Sequence, residues 1–294
     1  MKPASFEYHD PETVGEVVRI LAQYEGEAKI IAGGQSLMPL LNMRLARPQA
    51  LVDLRRVPGL DYLRRENGGL AIGSLTRQRD VERSADVAEL QPLLHAATRF
   101  IAHPQIRNRG TVGGSLAHAD PAAELPAVAV ALDATFAITG PEGDRTVPAG
   151  DFFVSFLTTS LGSGEVLTEV RFPGLRRGTG WSFQEVARRH GDFALVGVAV
   201  TLALESGKFH GARIVLFGVG GTPVRAPRAE QELEGNLPSD LLLRSAAMSA
   251  AEEIGEPVAD IHASAEYRRH VAGVLTRRAL AEAASRAGTS TEEA

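Results

Sequence analysis

Two glycine pairs, each beside small polar residues, constrain the fold of this chain more than any other feature of its sequence. The first, Gly33-Gly34, ends a short apolar segment and precedes a helical pattern. The second, Gly113-Gly114, lies between Thr111 and Ser115. Glycine lets the backbone approach a ligand closely and adopt conformations that other residues avoid. Two such turns in one chain suggest a long, phosphate-bearing ligand held along its middle.

The first turn lies inside a predicted strand–helix–strand unit. Residues 29–32 have the pattern of a short buried strand, Ser36 can cap a helix that runs to Leu45, and residues 50–54 form the next strand. The start of such a helix attracts anions by about 0.3–1 kcal/mol when exposed. An isolated glycine pair is as often only a tight turn, so that alternative stays open. The stretch has neither the G-x-x-x-x-G-K-S/T of a P-loop nor the G-x-G-x-x-G of a dinucleotide fold.

The second turn precedes a narrow segment with three polar groups, His118, Asp120 and Glu124. Loop polarity or backbone capping explains His118 and Asp120 equally well. Glu124 precedes a helix predicted over 125–132, where the helix dipole favours a carboxylate, so its role is structural, ligand-binding or both. No metal site is predicted, because His118 and Asp120 lack a third and fourth ligand.

Composition excludes several classes of protein. The 294 residues suit about two domains, and the formal net charge of −5 argues against a nucleic-acid surface. The absence of cysteine excludes disulfides, iron–sulfur clusters held by this chain's own thiolates and a cysteinyl link to a cofactor. Neither a signal peptide nor a membrane span is predicted, because the start lacks an apolar h-region and the longest apolar run, 193–204, is too short. A cytoplasmic protein is expected.

Hydrophobic periodicity and turn residues predict the remaining elements. A helix is expected to start at Asp10 and Pro11, Thr76 to cap another, and a third to cover 89–101 and end at Pro104. Strands are predicted over 70–73, 135–139, 145–148, 166–172, 181–187, 193–204 and 208–219. Later helices are predicted over 226–234, 240–255 and 267–287, followed by a disordered tail over 288–294.

Several short stretches, each weak alone, together match one family in order and spacing. They are Phe6-Glu7-Tyr8, 32–37, 104–107 before the second turn, Ala119-Asp120-Pro121, 188–192 and 265–268. Through them the chain resembles, over nearly its whole length, the FAD-binding medium subunits of molybdenum hydroxylases, the family of carbon monoxide dehydrogenase and xanthine dehydrogenase.

The resemblance implies an α+β fold with non-covalently bound FAD. An FAD-binding domain of the vanillyl-alcohol-oxidase (PCMH) type, in two subdomains, would cover 1–174. A smaller C-terminal α+β domain with an antiparallel sheet and helices would cover 178–287. Molybdopterin and [2Fe–2S] clusters are expected only in partner subunits, a molybdopterin-binding large subunit and a [2Fe–2S] small subunit, assembled as a dimer of heterotrimers.

The resemblance also implies which residues bind the cofactor. The two turns would wrap the pyrophosphate, Glu124 would hydrogen-bond FAD hydroxyls, and Ile101 and Leu167 match apolar positions that touch FAD. No catalytic residue and no metal ligand is predicted in this chain. The complete predicted cofactor-binding set is Ile30, Ile31, Ala32, Gly33, Gly34, Gln35, Ser36, Leu37, Ile101, Thr111, Val112, Gly113, Gly114, Ser115, Ala117, His118, Asp120, Glu124, Leu167 and Phe193.

Two positions depart from the family pattern. Many members have a lysine near the flavin at about Gln184 or Glu185, and this chain has none there. Phe193 stands where a tyrosine beside the isoalloxazine is common, so the hydroxyl is lost. An aromatic residue of the core is the alternative reading of Phe193.

The function implied by the resemblance is electron transfer. An FAD subunit would take electrons from the [2Fe–2S] clusters of a partner and pass them to quinone, NAD⁺, oxygen or another acceptor. One alternative is a free-standing flavin oxidase or reductase of the same fold, which would need its own base or covalent attachment site. The other is a non-catalytic nucleotide-binding assembly protein.

Overall fold

The computed structural model describes the backbone of residues 2–292 and side chains as far as residue 288. The chain begins with a small parallel sheet in the strand order β1-β3-β2. Its elements are β1 (Glu7–His9), α1 (Val14–Gln23), β2 (Ala28–Ile31), α2 (Leu37–Asn42) and β3 (Ala50–Asp53). Because β2 and β3 pair in parallel across the first glycine turn and α2, the predicted strand–helix–strand unit is confirmed.

Both helices of this subdomain differ from their predicted bounds. α1 begins after Thr13, whose hydroxyl accepts a hydrogen bond from the Glu16 N–H at 3.1 Å, and not at Asp10. α2 has six residues, and Ser36 makes no side-chain capping bond. The helix stops short of Leu45 because Arg44 adopts a left-handed conformation, with φ of 58°.

A second subdomain is built on an antiparallel sheet of five strands in the order β4-β5-β10-β6-β7. Helices between β5 and β6 cover it, and β8 and β9 form a separate hairpin. The elements are β4 (Leu63–Glu66), β5 (Gly69–Gly73), α3 (Gln78–Arg83), α4 (Ala85–Leu90), α5 (Pro92–Thr98), α6 (Pro104–Arg107), α7 (Val112–His118), α8 (Glu124–Ala131), β6 (Thr135–Gly140), β7 (Gly143–Pro148), α9 (Ala149–Phe152), β8 (Phe153–Ser155), β9 (Thr158–Thr159) and β10 (Val166–Phe172).

Three local predictions in this subdomain are wrong. The single helix predicted over 89–101 is interrupted at Gln91, and Pro92 starts α5. Pro104 likewise starts α6 and does not only end a helix, since proline suits the first turn, where no N–H partner is needed. Thr76 caps no helix, because its hydroxyl accepts from the Tyr62 N–H at 3.0 Å and donates to the Tyr62 carbonyl at 2.8 Å.

The C-terminal part is an antiparallel sheet in the order β11-β12-β13-β14 with three helices. The two-residue turn Ser206–Gly207 joins β12 and β13, with φ of 51° and 77°. α12 continues to Glu292, where a disordered tail was predicted from 288; residues 293 and 294 lie outside the described residues. The elements are β11 (Thr179–Ala187), β12 (Ala194–Glu205), β13 (Lys208–Phe217), β14 (Val224–Arg225), α10 (Pro227–Leu233), α11 (Asp240–Glu253) and α12 (Ala265–Glu292).

Both faces of this sheet are buried, which explains the almost continuous apolar run of β12. On one face Val196, Val198 and Val200 pack against the core formed with α10–α12. On the other face Ala199 joins the core of the first domain, together with Phe183, Val215 and Phe217. We call this second face, where the sheet meets α5 and α8, the domain seam. Within the described part of the chain, no helix is both long and apolar enough to cross a membrane.

Candidate functional site

The two glycine turns are in direct contact. A Cβ atom on Gly33 would lie 2.3 Å from the Arg109 carbonyl oxygen and 2.9 Å from the Gly110 Cα, so only glycine fits there. A Cβ atom on Gly114 would lie 3.8 Å from the Cβ of Ala32. Two segments almost eighty residues apart therefore pack side by side.

The first turn presents unused hydrogen-bond donors. Among residues 2–292, no protein group accepts from the backbone N–H groups of Gly34, Gln35 and Ser36. The Gln35 side chain instead donates to the Gly33 carbonyl at 3.0 Å, which braces the turn. Gly34 has a φ of 72°, a conformation that favours glycine. Consecutive free N–H groups on a turn are suited to binding an anion such as a phosphate.

The second turn has few unused hydrogen-bond donors. The N–H groups of Val112 and Gly113 donate to the carbonyls of Thr76 and Ser74, both at 2.9 Å. The Gly114 N–H donates to the Thr111 hydroxyl at 3.0 Å, which caps α7. The N–H groups of this turn are thus mostly satisfied within the protein. Its glycines pack closely within the protein, because a Cβ atom on Gly113 would lie 2.4 Å from the Cβ of Ser74 and one on Gly114 would lie 2.6 Å from the Thr111 hydroxyl oxygen.

The other predicted residues differ in their surroundings. Asp120 accepts from the Ala122 N–H at 2.9 Å, so it forms the backbone-capping bond of the alternative interpretation, which is compatible with a ligand contact as well. Glu124, the first residue of α8, is only 5% exposed, and Ile101 and Leu167 are buried. Phe193 is 62% exposed, which rules out the reading of it as a core residue. The remaining members are exposed at Ser36 and Ala117 and half-buried at Ile30, Ile31, Leu37, Ser115 and His118.

Contacts between the domains connect these residues to the seam. A Cβ atom on Gly191 would lie 2.9 Å from the Ala102 carbonyl oxygen, so the turn before Phe193 lies beside the residue after Ile101. The Gly218 N–H donates to the Pro121 carbonyl at 2.8 Å, which ties the segment after α7 to the C-terminal sheet. The predicted site therefore extends from the first glycine turn towards the domain seam.

Two carboxyl groups, the buried Glu124 and the half-buried Glu185, lie where the domains meet. Burial raises the pKa of Glu124 to about 7, and the charge of Asp120 adds to this, whereas a hydrogen bond from its own backbone and Arg107 act in the opposite direction. Burial raises the pKa of Glu185 to about 8, and the charge of Glu124 raises it further. One carboxylate oxygen of Glu185 is buried and has no hydrogen-bond partner in the described part of the chain.

Other polar clusters do not belong to this site. A surface cavity of about 290 Å³ is lined by Arg79, Glu82, Arg83, Arg99 and Arg107, where Arg107 forms a two-bond ion pair with Glu82. Neither glycine turn lines it. No group of three or more histidine, aspartate or glutamate side chains within the described residues is placed to hold a metal ion.

Comparison with known proteins identifies the family. Residues 4–175 match the FAD binding domain in molybdopterin dehydrogenase, and residues 181–283 match the CO dehydrogenase flavoprotein C-terminal domain. The chain belongs to the FAD-binding subunits of the molybdenum hydroxylases. FAD is therefore its cofactor, and the chain is an oxidoreductase subunit with the α+β architecture implied by its sequence.

Three relatives of this molybdenum hydroxylase subunit cover almost all of it. Subunit alpha of the 6-hydroxypseudooxynicotine dehydrogenase complex from Paenarthrobacter nicotinovorans is 46% identical over 98% of this chain and 97% of its own length. A carbon monoxide dehydrogenase structure from Hydrogenophaga pseudoflava contains a chain with 41% identity and a TM-score of 0.95, covering 97% of this chain and 99% of that chain. Quinoline 2-oxidoreductase from Pseudomonas putida 86 gives 40% identity and a TM-score of 0.92, covering 98% and 99%.

The residues present fit FAD. Free N–H groups at Gly34–Ser36 suit a pyrophosphate, the glycines leave a backbone surface open, and the buried carboxyl of Glu124 has no side-chain partner among the described residues. These features supply an anion site, close approach and a polar group of the kind that hydrogen-bonds hydroxyls.

Sequence reasoning missed four residues around this molybdenum hydroxylase site. Ser74 and Gln78 form the wall behind Gly113 and Gly110, and each has a buried side-chain oxygen without a partner in the described chain. The carbonyl oxygen of Arg109 packs against Gly33. Because this is a backbone contact, the residue type at position 109 does not indicate it. The sequence interpretation of Glu185 was limited to the lack of a lysine at this position. The alternation of side chains along β11 could have placed Glu185 on the same face as Phe183.

Proposed function

We propose that this chain is the electron-transfer subunit of a molybdenum hydroxylase complex. It would take electrons from the [2Fe–2S] clusters of a small subunit and pass them to an external acceptor, while a molybdopterin-binding large subunit oxidises the substrate. The observation that carries the proposal is the contact between the two glycine turns, with three free N–H donors at Gly34, Gln35 and Ser36. Bound FAD would supply the redox chemistry.

The chain's own residues would bind and orient the cofactor. The N–H groups of the first turn would donate to the pyrophosphate, with Gly33 and Gly114 allowing close approach. The carboxyl of Glu124 would hydrogen-bond the hydroxyls of FAD, and Ile101 and Leu167 would give apolar contacts. The exposed ring of Phe193 would offer an apolar face to the flavin. No residue needs to act as a general acid or base.

The partners are part of the same proposal. The chain has no cysteine, so the iron–sulfur clusters would have to be held by another subunit. We propose a cytoplasmic dimer of heterotrimers, in which the FAD-binding domain of this subunit covers 1–174 and its C-terminal domain covers 178–287.

Reduction of the flavin by a cluster-bearing partner tests this function. The chain would be co-expressed with a molybdopterin-binding large subunit and a [2Fe–2S] small subunit from the same organism. The small subunit, reduced with dithionite and freed of excess reductant, would then be mixed with the FAD-loaded chain. We expect co-purification and loss of the oxidised-flavin absorbance near 450 nm. Turnover by the chain alone with an organic donor would favour a free-standing oxidase. A loaded chain that its partner cannot reduce would favour an assembly protein.

A further inference from the structure

Glu185 faces the first domain and not the helices of its own domain. Side chains alternate along a strand, and Ser182 and Gln184 of β11 hydrogen-bond Glu282 of α12 at 2.6 Å and 2.7 Å. Phe183 points the other way, with its ring centroid 5.1 Å from that of Phe100, next to Ile101. Glu185 has the same parity as Phe183, so it lies on the domain seam.

The surroundings of Glu185 give its carboxyl no partner. Its strand neighbour is Gly197, and the ring of Phe217 occupies the space where a side chain on Gly197 would lie. One oxygen of Glu185 is fully buried without a hydrogen bond in the described part of the chain. A buried polar atom of this kind is uncommon in native proteins and calls for an explanation.

The charged group that raises the pKa of Glu185 belongs to the other domain. Glu124 at the start of α8 is nine-tenths buried, and its charge disfavours ionisation of Glu185. The charge of Asp120 raises the pKa of Glu124, and the charge of Arg107 lowers it. Glu282 lies on the opposite face of β11, where it is hydrogen-bonded to Ser182 and Gln184. Two carboxyl groups that interact this way titrate as a pair, and the ionisation of one opposes that of the other.

We propose that Glu185 and Glu124 together hold a proton at neutral pH and donate it in a hydrogen bond to an acceptor atom of bound FAD. This inference rests on the proposed function, since Glu124 and Ile101 belong to the predicted cofactor site. Glu185 would then be a cofactor-positioning residue that the family pattern does not include.

A proton held in this way makes FAD binding depend on pH. The protonated pair donates to FAD, whereas the ionised pair offers no donor and repels the negatively charged pyrophosphate. Linkage then requires that binding weaken as pH rises through the pKa of Glu185, about 8 in the FAD-free protein. With one proton involved, the dissociation constant should rise by almost tenfold per pH unit above that value.

The test is a titration of the FAD-free full-length chain with FAD, followed by quenching of flavin fluorescence, between pH 6.5 and about pH 9.5. We expect the wild type to lose affinity above about pH 8. Glu185→Gln keeps a neutral donor, so its binding should stay nearly constant above pH 8. Glu142→Gln, on an exposed turn, should follow the wild type.

Two results would overturn the inference while leaving the proposed function intact. One is wild-type affinity that does not change above pH 8, and the other is a Glu185→Gln profile identical to that of the wild type, as expected for a purely structural glutamate. A folded chain that binds no FAD at any pH would contradict the proposed function as well.

Discussion

Replacing Gly33 by alanine is expected to remove most FAD from the purified protein. The added Cβ would lie 2.3 Å from the Arg109 carbonyl oxygen and 2.9 Å from the Gly110 Cα. Both are backbone atoms, so the two turns must separate, and the free N–H groups of the first turn lose their position relative to the second. The FAD-to-protein ratio, from absorbance near 450 and 280 nm, should fall from near one to near zero. Valine should have the same effect.

Gly15→Ala is the matched control for this substitution. Gly15 lies in α1, and a Cβ atom there would meet no atom within 4 Å, so flavin content should be unchanged. Gly114→Val gives a second route to the same conclusion, because its Cβ would lie 2.6 Å from the Thr111 hydroxyl oxygen, a side-chain atom that must shift, and 3.8 Å from the Ala32 side chain. That chain should fold, with its C-terminal domain intact, and still lose flavin. Full flavin content in both Gly33→Ala and Gly114→Val would contradict a shared site on the two turns.

Glu185→Gln is expected to stabilise the FAD-free protein by an amount that grows between pH 4.5 and about 8 and is largest at alkaline pH. The pKa of Glu185 is raised by burial from 4.5 to about 8, so the stability contributed by the neutral carboxyl is complete below pH 4.5 and lost as pH rises through 8. Glutamine remains neutral throughout. Because Glu185 is only half-buried, solvent screening reduces the full linkage energy, so the gain at pH 9 relative to pH 5 should be about 2–3 kcal/mol.

Thermal unfolding of the FAD-free chain at both pH values measures this effect. The melting temperature of Glu185→Gln should exceed that of the wild type at pH 9 and approach it at pH 5. Glu142→Gln should match the wild type at both. An increase of equal size at pH 5 and pH 9 would show that the substitution acts through packing and not through the charge of Glu185.

Much of the fold could be predicted from the sequence, because the local turn and helix signals and the pattern of buried residues indicate the same elements. β10 occupies the predicted residues, and β12 and β13 cover most of the strands predicted over 193–204 and 208–219. The helix boundaries at Pro92 and Pro104 were missed because proline both ends helices and starts them. Only tertiary contacts decide between those roles.

The site was less predictable than the fold. The glycine pairs identified both turns, but no sequence pattern indicated that Val112 and Gly113 donate hydrogen bonds to the distant residues Thr76 and Ser74. That long-range pairing leaves the first turn as the main source of free donors. The position of Glu185 depends on which domain covers each face of β11, and this is a property of the assembled sheet.

A crystal structure of the chain with FAD tests the central claim most directly. The pyrophosphate oxygens should lie about 3 Å from the backbone nitrogens of Gly34, Gln35 and Ser36. The cofactor should then extend along the second turn towards Glu124 and the domain seam. A pyrophosphate bound away from Gly34–Ser36, with no contact to the first turn, would contradict the account.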